Sequence, residues 1–463
     1  MKKIESFKRV IQLLLAGVGL AFQVGIYAYF HYMYYAPAII RWLPFYRMGH
    51  IVIILIFAFL LVIFSSLYGA MKIGRMKAAE IAVSQVISTA FAAGLMYVLI
   101  SLMSFSILYP WNYLRMAIEQ MAVGAVWVVI ASWLYPHIFP ARRLLLVHGD
   151  RPIAEITEKF ESRKDKYIIC KTMNVREGID KICAEAEERY DGVVIWDISS
   201  IERNKILKFC YGKGIRVYIM PKISDVILSG AEQLHIFDSP ILLSREYSLR
   251  VEQRFVKRLI DIVCSLILII VTSPFMLITA IAVKMYDGGH ILYKQVRCTE
   301  DAREFKILKF RSMREDAEKD GVARLAKEND DRITPVGRFI RKCRLDELPQ
   351  LFNILKGDMS FIGPRPERPE IIKQYLESMP EFAFRMKVKA GLAGYAQVYG
   401  KYNTSPYDKL KLDLTYIEHY SVWLDIKLMF LTIKVLFLPD ATEGVAEEQV
   451  TALRASVKQE KEE

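Results

Sequence analysis

The sequence predicts a membrane protein in three parts. These are an α-helical N-terminal bundle of four membrane helices, an α/β middle domain on a parallel sheet, and a mostly α-helical downstream domain attached through a re-entrant helix. Three observations lead there: four long apolar stretches near the N-terminus, short β-like runs alternating with amphipathic helices, and a fifth apolar stretch with a proline near its middle. The 463 residues include 63 Lys+Arg and 51 Asp+Glu, a net charge of +12, with 53% hydrophobic and 25% charged residues. Mean hydropathy is +0.21. Such a chain separates very apolar stretches from basic ones, and it can bury far more apolar surface than a disordered sequence. Six Cys with no CxxC pair exclude a secreted disulfide scaffold, so Cys170, Cys183, Cys210, Cys264, Cys298 and Cys343 read as reduced thiols.

The four stretches, 10–30, 51–71, 81–105 and 116–135, each suffice to cross a bilayer core of about 30 Å, which takes about 20 helical residues. Residues 1–9 are basic, but no small-residue cleavage site comes after them, so the first stretch reads as a retained helix. Lys2, Lys3, Lys8, Arg9, Lys72, Arg75, Lys77, Arg142 and Arg143 flank one side, against Arg41, Arg47 and Arg115 on the other. The positive-inside bias puts the first side, and everything after Pro140, in the cytosol. This part takes residues 1–142.

Over 143–250 the runs 144–147, 167–172, 192–196, 215–220 and 241–243 alternate with helical stretches 175–190 and 201–211, the pattern of a parallel sheet with crossover helices. After the first run comes His148-Gly149-Asp150-Arg151-Pro152, and one glycine is not the G-x-G-x-x-G that cradles a pyrophosphate. Tyr167 and Lys171 have the spacing of a short-chain dehydrogenase pair but lie in a strand-like run, which points to chance. The domain reads as a spacer without a nucleotide.

The fifth stretch, 259–286, has cations at both ends: Arg254, Lys257 and Arg258 before it, Lys284, Lys294 and Arg297 at and beyond its far end. Neither end favours the outside. Near its middle Ser273-Pro274 removes a backbone donor, and Ser273 can satisfy a group freed there. The segment is therefore expected to enter the membrane and turn back at that break, which keeps the downstream domain cytosolic; the alternative is a straight fifth span with a tolerated proline.

Downstream, Lys306, Lys309, Arg311 and Arg314 crowd nine positions, and the period of two aims Lys309 and Arg311 at one face of a strand. Such a cluster is either a solvated surface or a phosphate site. Thr334-Pro335 opens a helix carrying Arg338, Arg341 and Lys342, which leads to the adjacent acids Asp346 and Glu347. Adjacent acids can meet one metal or phosphate from two directions, and nearby cations are expected to keep them ionised, as a nucleophile needs. In Gly363-Pro364-Arg365-Pro366 a guanidinium sits in a stiffened loop, suited to bidentate phosphate capture. Residues 420–438, interrupted by Asp425, Lys427 and Lys434, read as an amphipathic helix on the membrane surface. The charged tail, 441–463, reads as disordered.

These blocks together resemble the polyprenyl-phosphate glycosyl-1-phosphate transferases, bacterial sugar transferases that start capsule, exopolysaccharide and O-antigen assembly. The resemblance covers 255–438 and rests on Lys257-Arg258-x-x-Asp261, Ser273-Pro274, Gln295-Val296-Arg297, Lys309-Phe310-Arg311-Ser312-Met313, Thr334-Pro335-Val336-Gly337-Arg338, Leu345-Asp346-Glu347-Leu348-Pro349-Gln350-Leu351-Phe352-Asn353, Lys356-Gly357-Asp358-Met359-Ser360, Gly363-Pro364-Arg365-Pro366, Gly391-Leu392-x-Gly394-x-Ala396-Gln397 and Leu412-Asp413-Leu414-x-Tyr416. It implies a large-form member: four membrane helices, a degenerate Rossmann-like linker, and a monotopic catalytic domain over 251–440 held by the re-entrant helix. By resemblance Asp346 is the nucleophile toward a UDP-sugar, Glu347 its partner and, with it, a ligand of Mg²⁺. Arg365, Lys309 and Arg311 become phosphate contacts. Polyprenyl phosphate is the acceptor and the lipid bilayer a partner; a homodimer is expected by analogy, and nucleic acid is not. The implied location is the cytoplasmic face of the bacterial inner membrane. Thr299, Ala302, Ala390 and Ala393 depart from the family pattern at turns, away from the two acids. The alternatives are a membrane-anchored nucleotide-sugar dehydratase or oxidoreductase, and a non-enzymatic assembly scaffold.

Overall fold

The computed structural model describes residues 7–40, 47–236, 238–244, 249–314, 332–400 and 404–437; the tail and the N-terminal Lys2 and Lys3 lie outside them. The chain divides into two compact units, Met1–Pro221 and Lys222–Glu463.

The first unit opens with helices α1 (Lys8–Phe30), α2 (Arg47–Tyr68), α3 (Ala78–Met103) and α4 (Pro110–Ile138). Helix α1 outruns the predicted end at Phe30 because one π turn, His31–Tyr35, carries it into Ala36–Ile40. Between apolar helices there is little hydrophobic drive, so small residues and side-chain hydrogen bonds set the contacts. A Cβ on Gly19 would come within 2.3 Å of the Trp127 ring. Gln120 donates to the Gln23 carbonyl at 2.8 Å, and Thr89 donates to the Gln23 side chain at 3.0 Å. All four are long and apolar enough to cross a membrane, as is a fifth helix in the second unit.

Strands β1 (Arg142–His148), β2 (Tyr167–Asn174), β3 (Gly192–Trp196) and β4 (Arg216–Ile219) form a parallel sheet in the order β2-β1-β3-β4. Helices α5 (Ala154–Glu161), α6 (Ile179–Arg189) and α7 (Ser200–Lys213) connect them. Leu145 and Val147 pack in one core, Leu144 and Leu146 in another, so β1 is buried on both faces and its apolar run is unbroken. A Cβ on Gly149 would meet the Asp197 carbonyl at 2.1 Å, so the turn after β1 is closed by backbone. Tyr167 and Lys171 both lie on β2.

The fifth predicted run is not in that sheet. It is β6 (Ser239–Leu243), paired antiparallel with β5 (Glu232–Ile236) in a separate hairpin, because only two residues separate them in sequence where a parallel partner would need a crossover. Helix α8 (Ile223–Ser229) precedes the hairpin in the second unit. Ile223, Val226 and Leu249 share that unit's core with Ile354, Phe361, Leu414 and Leu428, although their sequence neighbourhood groups them with the preceding strands.

The second unit is built around α9 (Val251–Asp287), 37 residues long. The expected interruption at Ser273-Pro274 is absent: the chain stays helical through both. Pro274 cannot donate to the Ile270 carbonyl, and Ser273 Oγ donates to it instead at 2.8 Å. Around α9 lie the hairpin of β7 (Leu292–Cys298) and β8 (Glu304–Phe310), then α10 (Pro335–Lys342) and α11 (Gln350–Lys356). Next come β9 (Ser360–Ile362), α12 (Pro369–Ser378), β10 (Gly391–Ala393), which pairs parallel with β9, and α13 (Tyr395–Tyr399). Helices α14 (Pro406–Glu418) and α15 (Val422–Val435) complete it. The expected polar face of α15 is not a surface: Asp425 and Lys434 are buried, Asp425 in a pair with Lys257 on α9 at 2.6 Å.

Candidate active site

The acidic pair sits on a tight turn that the sequence builds in two steps. Thr334 caps α10 by accepting from the Gly337 amide at 2.9 Å, and Arg344 then takes a left-handed conformation (φ 56°). That places Asp346 and Glu347 in a 3₁₀ turn, Leu345–Glu347, immediately before α11. A non-glycine residue in this region costs of order 1–3 kcal/mol and is held by its surroundings. Asn353 on α11 ties the turn to β8, accepting from the Leu308 amide and donating to the Lys306 carbonyl, both at 3.0 Å.

Glu347 Oε1 is the meeting point of the cations. Lys309 Nζ donates to it at 3.0 Å and Arg365 Nη2 at 3.2 Å, while Arg344 stands 4.0 Å away. Asp346 is buried, and its Oδ1 has no hydrogen-bond partner among the described residues. The expectation that nearby cations keep the acids ionised is therefore met at Glu347 and not at Asp346. Burial pushes Asp346 up, Glu347 beside it adds to that, and Lys309, Arg341 and Arg344 oppose without reversing it. Burial also works against Glu347, but Lys309, Arg365 and Arg344 outweigh it and hold that carboxyl well below the usual range.

Arg311 does not join this group. It lies just past β8, is buried, and pairs with Asp287 at the end of α9, so the expected shared face with Lys309 is not formed. The period of two fails because the strand ends at Phe310.

Lys257, Arg258 and Asp261 form a motif to which the sequence attaches no task. All three brace the site from one turn of α9. Lys257 Nζ donates to the Ile362 carbonyl at 2.8 Å, Arg258 donates to the Ile354 and Leu355 carbonyls at 2.7 Å each, and Asp261 accepts from Ser360 Oγ and the Phe361 amide at 3.0 Å. The signal for that role is ionisable residues at the start of an apolar stretch, where only paired charges persist.

No group of three or more His, Cys, Asp or Glu suited to a metal occurs among the described residues. Asp346 and Glu347 offer hard oxygens, and the orphaned Asp346 Oδ1 is a free donor atom for a cation. That suits Mg²⁺, which is usually held by one or two carboxylates and completed by substrate phosphates.

The acidic turn, the cations on Glu347 and the apolar helix that braces them all fall within residues 251–365. Residues 252–439 match the model of the bacterial sugar transferase family. The UDP-glucose:undecaprenyl-phosphate glucose-1-phosphate transferase of Caulobacter vibrioides is 37% identical over 189 residues, 40% of this chain and 70% of that protein. The chain belongs to the bacterial sugar transferase family. The UDP-N-acetylgalactosamine-undecaprenyl-phosphate N-acetylgalactosaminephosphotransferase of Aeromonas hydrophila is 38% identical over 257 residues, 54% of this chain and 59% of that protein. The UDP-glucose:undecaprenyl-phosphate glucose-1-phosphate transferase of Escherichia coli is 37% identical over 211 residues, 44% of each chain. The matches to these last two thus span about half the length of each.

Proposed function

We propose that the chain transfers a sugar 1-phosphate from a UDP-sugar to polyprenyl phosphate at the cytoplasmic face of a bacterial inner membrane. The observation that carries this is the asymmetry of the two acids: Glu347 is neutralised by Lys309, Arg365 and Arg344, while Asp346 keeps an uncommitted oxygen. Asp346 attacks the β-phosphorus, the bond to the bridging oxygen breaks, and UMP leaves with that oxygen. A polyprenyl phosphate oxygen then attacks the same phosphorus and displaces Asp346, giving a polyprenyl-diphosphate sugar. Arg365 and Lys309, already converged on Glu347, bind and orient the diphosphate. Asp346 and Glu347 would hold Mg²⁺, which when bound neutralises charge between an anionic nucleophile and its anionic substrate. The relatives' names suggest UDP-glucose and UDP-N-acetylgalactosamine as first donors to try, with UDP-galactose. The product fits the first membrane step of capsule, exopolysaccharide or O-antigen assembly. The closed turn at Gly149 argues against a nucleotide-dependent redox step in the middle domain.

The test is UMP release from these UDP-sugars, with and without polyprenyl phosphate and Mg²⁺. No UMP from any of them refutes the reading.

Substituting Arg365→Lys should be harmful despite the conserved charge, since a point charge replaces a planar fork. A hydrogen bond to a charged group contributes about 1.5–3 kcal/mol. Because the side chain is 42% exposed, the lower end is expected, a roughly ten-fold loss in kcat/KM. Unchanged kcat and KM would dismiss the fork.

Topology gives a second prediction. With the N-terminus inside, four crossings return the chain to the cytosol, where UDP-sugars are; a fifth true crossing would export Lys309, Asp346 and Arg365. Both ends of α9 therefore lie on the cytosolic side, which in a chain helical through Ser273 and Pro274 requires a bend at the proline within the helix. Single Cys residues at Glu252 and Lys294, both exposed, are placed in a Cys-free chain. Neither should react with an impermeant thiol reagent until cells are opened. Labelling at 294 alone in intact cells would mean a spanning helix.

A further inference from the structure

The turn 364–366 cannot fix its own shape, because Pro364 and Pro366 have no amide to donate. It is held from outside through the carbonyls of residues 364–367, four in succession. The Pro364 carbonyl accepts from the Gly391 amide at 2.9 Å and the Glu367 carbonyl from the Cys298 amide at 3.0 Å. Between them, the Arg365 carbonyl accepts from Arg385 Nη2 at 3.0 Å and the Pro366 carbonyl from Arg297 Nη1 at 3.1 Å.

The two guanidiniums are themselves anchored. Arg385 is 7% exposed and pairs with the buried Asp413 of α14 at 2.8 Å. Both reach toward Glu367, Arg385 at 3.8 Å and Arg297 at 3.7 Å. Neither Arg385 nor Asp413 touches the two acids, yet a buried ion pair is costly unless its geometry is used. Among the described residues, Arg385 meets the loop at the carbonyl of Arg365, whose side chain reaches out to Glu347.

We propose that Arg385, seated on Asp413, is a positioning residue for the transfer: it fixes the backbone of Arg365 so that the Arg365 guanidinium meets the diphosphate of the nucleotide sugar. This rests on the reading of Arg365 as a phosphate contact. Lysine at 385 could keep the pair with Asp413 but not span Asp413 and the Arg365 carbonyl together.

The test compares Arg385→Lys in the wild-type chain and in an Arg365→Ala background, in the full-length protein in detergent. In the wild-type background kcat/KM for the UDP-sugar should fall on the order of ten-fold or more. In the Arg365→Ala background the same change should cost no more than about two-fold, since what it positions is gone. A purely structural role would lower activity equally in both and overturns the inference. Hydrogen exchange supplies a readout independent of turnover: Arg385→Lys should speed the Gly391 and Cys298 amides, which donate to the Pro364 and Glu367 carbonyls, on the order of ten-fold, and leave those of α14 unchanged. Unchanged exchange at 391 and 298 likewise overturns it. Asp413→Asn, which loosens the seat of Arg385, should reproduce the exchange result. Failure of the wild-type chain to release UMP refutes the proposed function instead, and the exchange measurement still decides the positioning role.

Discussion

Replacing Asp346 with Asn is expected to reduce UMP release on the order of 10⁴-fold while leaving the fold intact. The magnitude comes from removing a nucleophile outright, since only binding and electrostatic stabilisation remain. The intact fold comes from the electrostatics of the turn. Burial and the neighbouring Glu347 already disfavour the Asp346 charge, and its Oδ1 makes no hydrogen bond that Asn would break. Asn keeps the volume, so thermal melting should match wild type within a few degrees. Activity above about 1% of wild type, with the protein folded, would remove Asp346 from the role of nucleophile. A large loss of thermal stability would contradict the view that its charge is strained rather than stabilising.

The second large effect is on stability. Lys257 and Asp425 pair at 2.6 Å with side chains 8% and 5% exposed, and Tyr416 donates to Asp425 at 2.7 Å. Lys257→Met would strand a buried carboxylate, and breaking such a pair costs roughly 3–5 kcal/mol. At roughly 2–4 °C per kcal/mol for a unit of this size, melting should fall on the order of 10 °C. The pair can nevertheless be replaced: Lys257→Met with Asp425→Leu should recover most of the loss, because two apolar side chains leave no orphaned charge. A double variant no better than the single would show that Lys257 matters through the Ile362 carbonyl rather than through Asp425.

Much of this architecture is legible in the sequence because local signals agree with packing. Length and hydropathy give helices α1 to α4, and short apolar runs give β1 and β3. Distance along the chain is what misleads. The 241–243 run looks like the fifth parallel strand but pairs with β5, a partner that periodicity cannot name. Asp425, Lys427 and Lys434 look like a polar helix face, whereas Asp425 is buried by a lysine 168 residues away. Ser273-Pro274 looks like a break, but a serine hydroxyl takes the proline's missing hydrogen bond and the helix continues. At the site, Asp346, Glu347, Lys309 and Arg365 are visible as motif residues, and their meeting at Glu347 Oε1 is not. Arg385 carries no local signal and Asp413 is visible only as a motif residue, since their pairing joins positions distant in sequence.

The two-step route through Asp346 is tested most directly by incubating the protein with its UDP-sugar and Mg²⁺ in the absence of polyprenyl phosphate, quenching in acid, and mapping peptides by mass spectrometry. A phosphosugar on the peptide containing Asp346, absent from Asp346→Asn and lost when polyprenyl phosphate is added, is the expected result. UMP formed only when the lipid is present, with no adduct on any peptide, would mean direct transfer and contradict it.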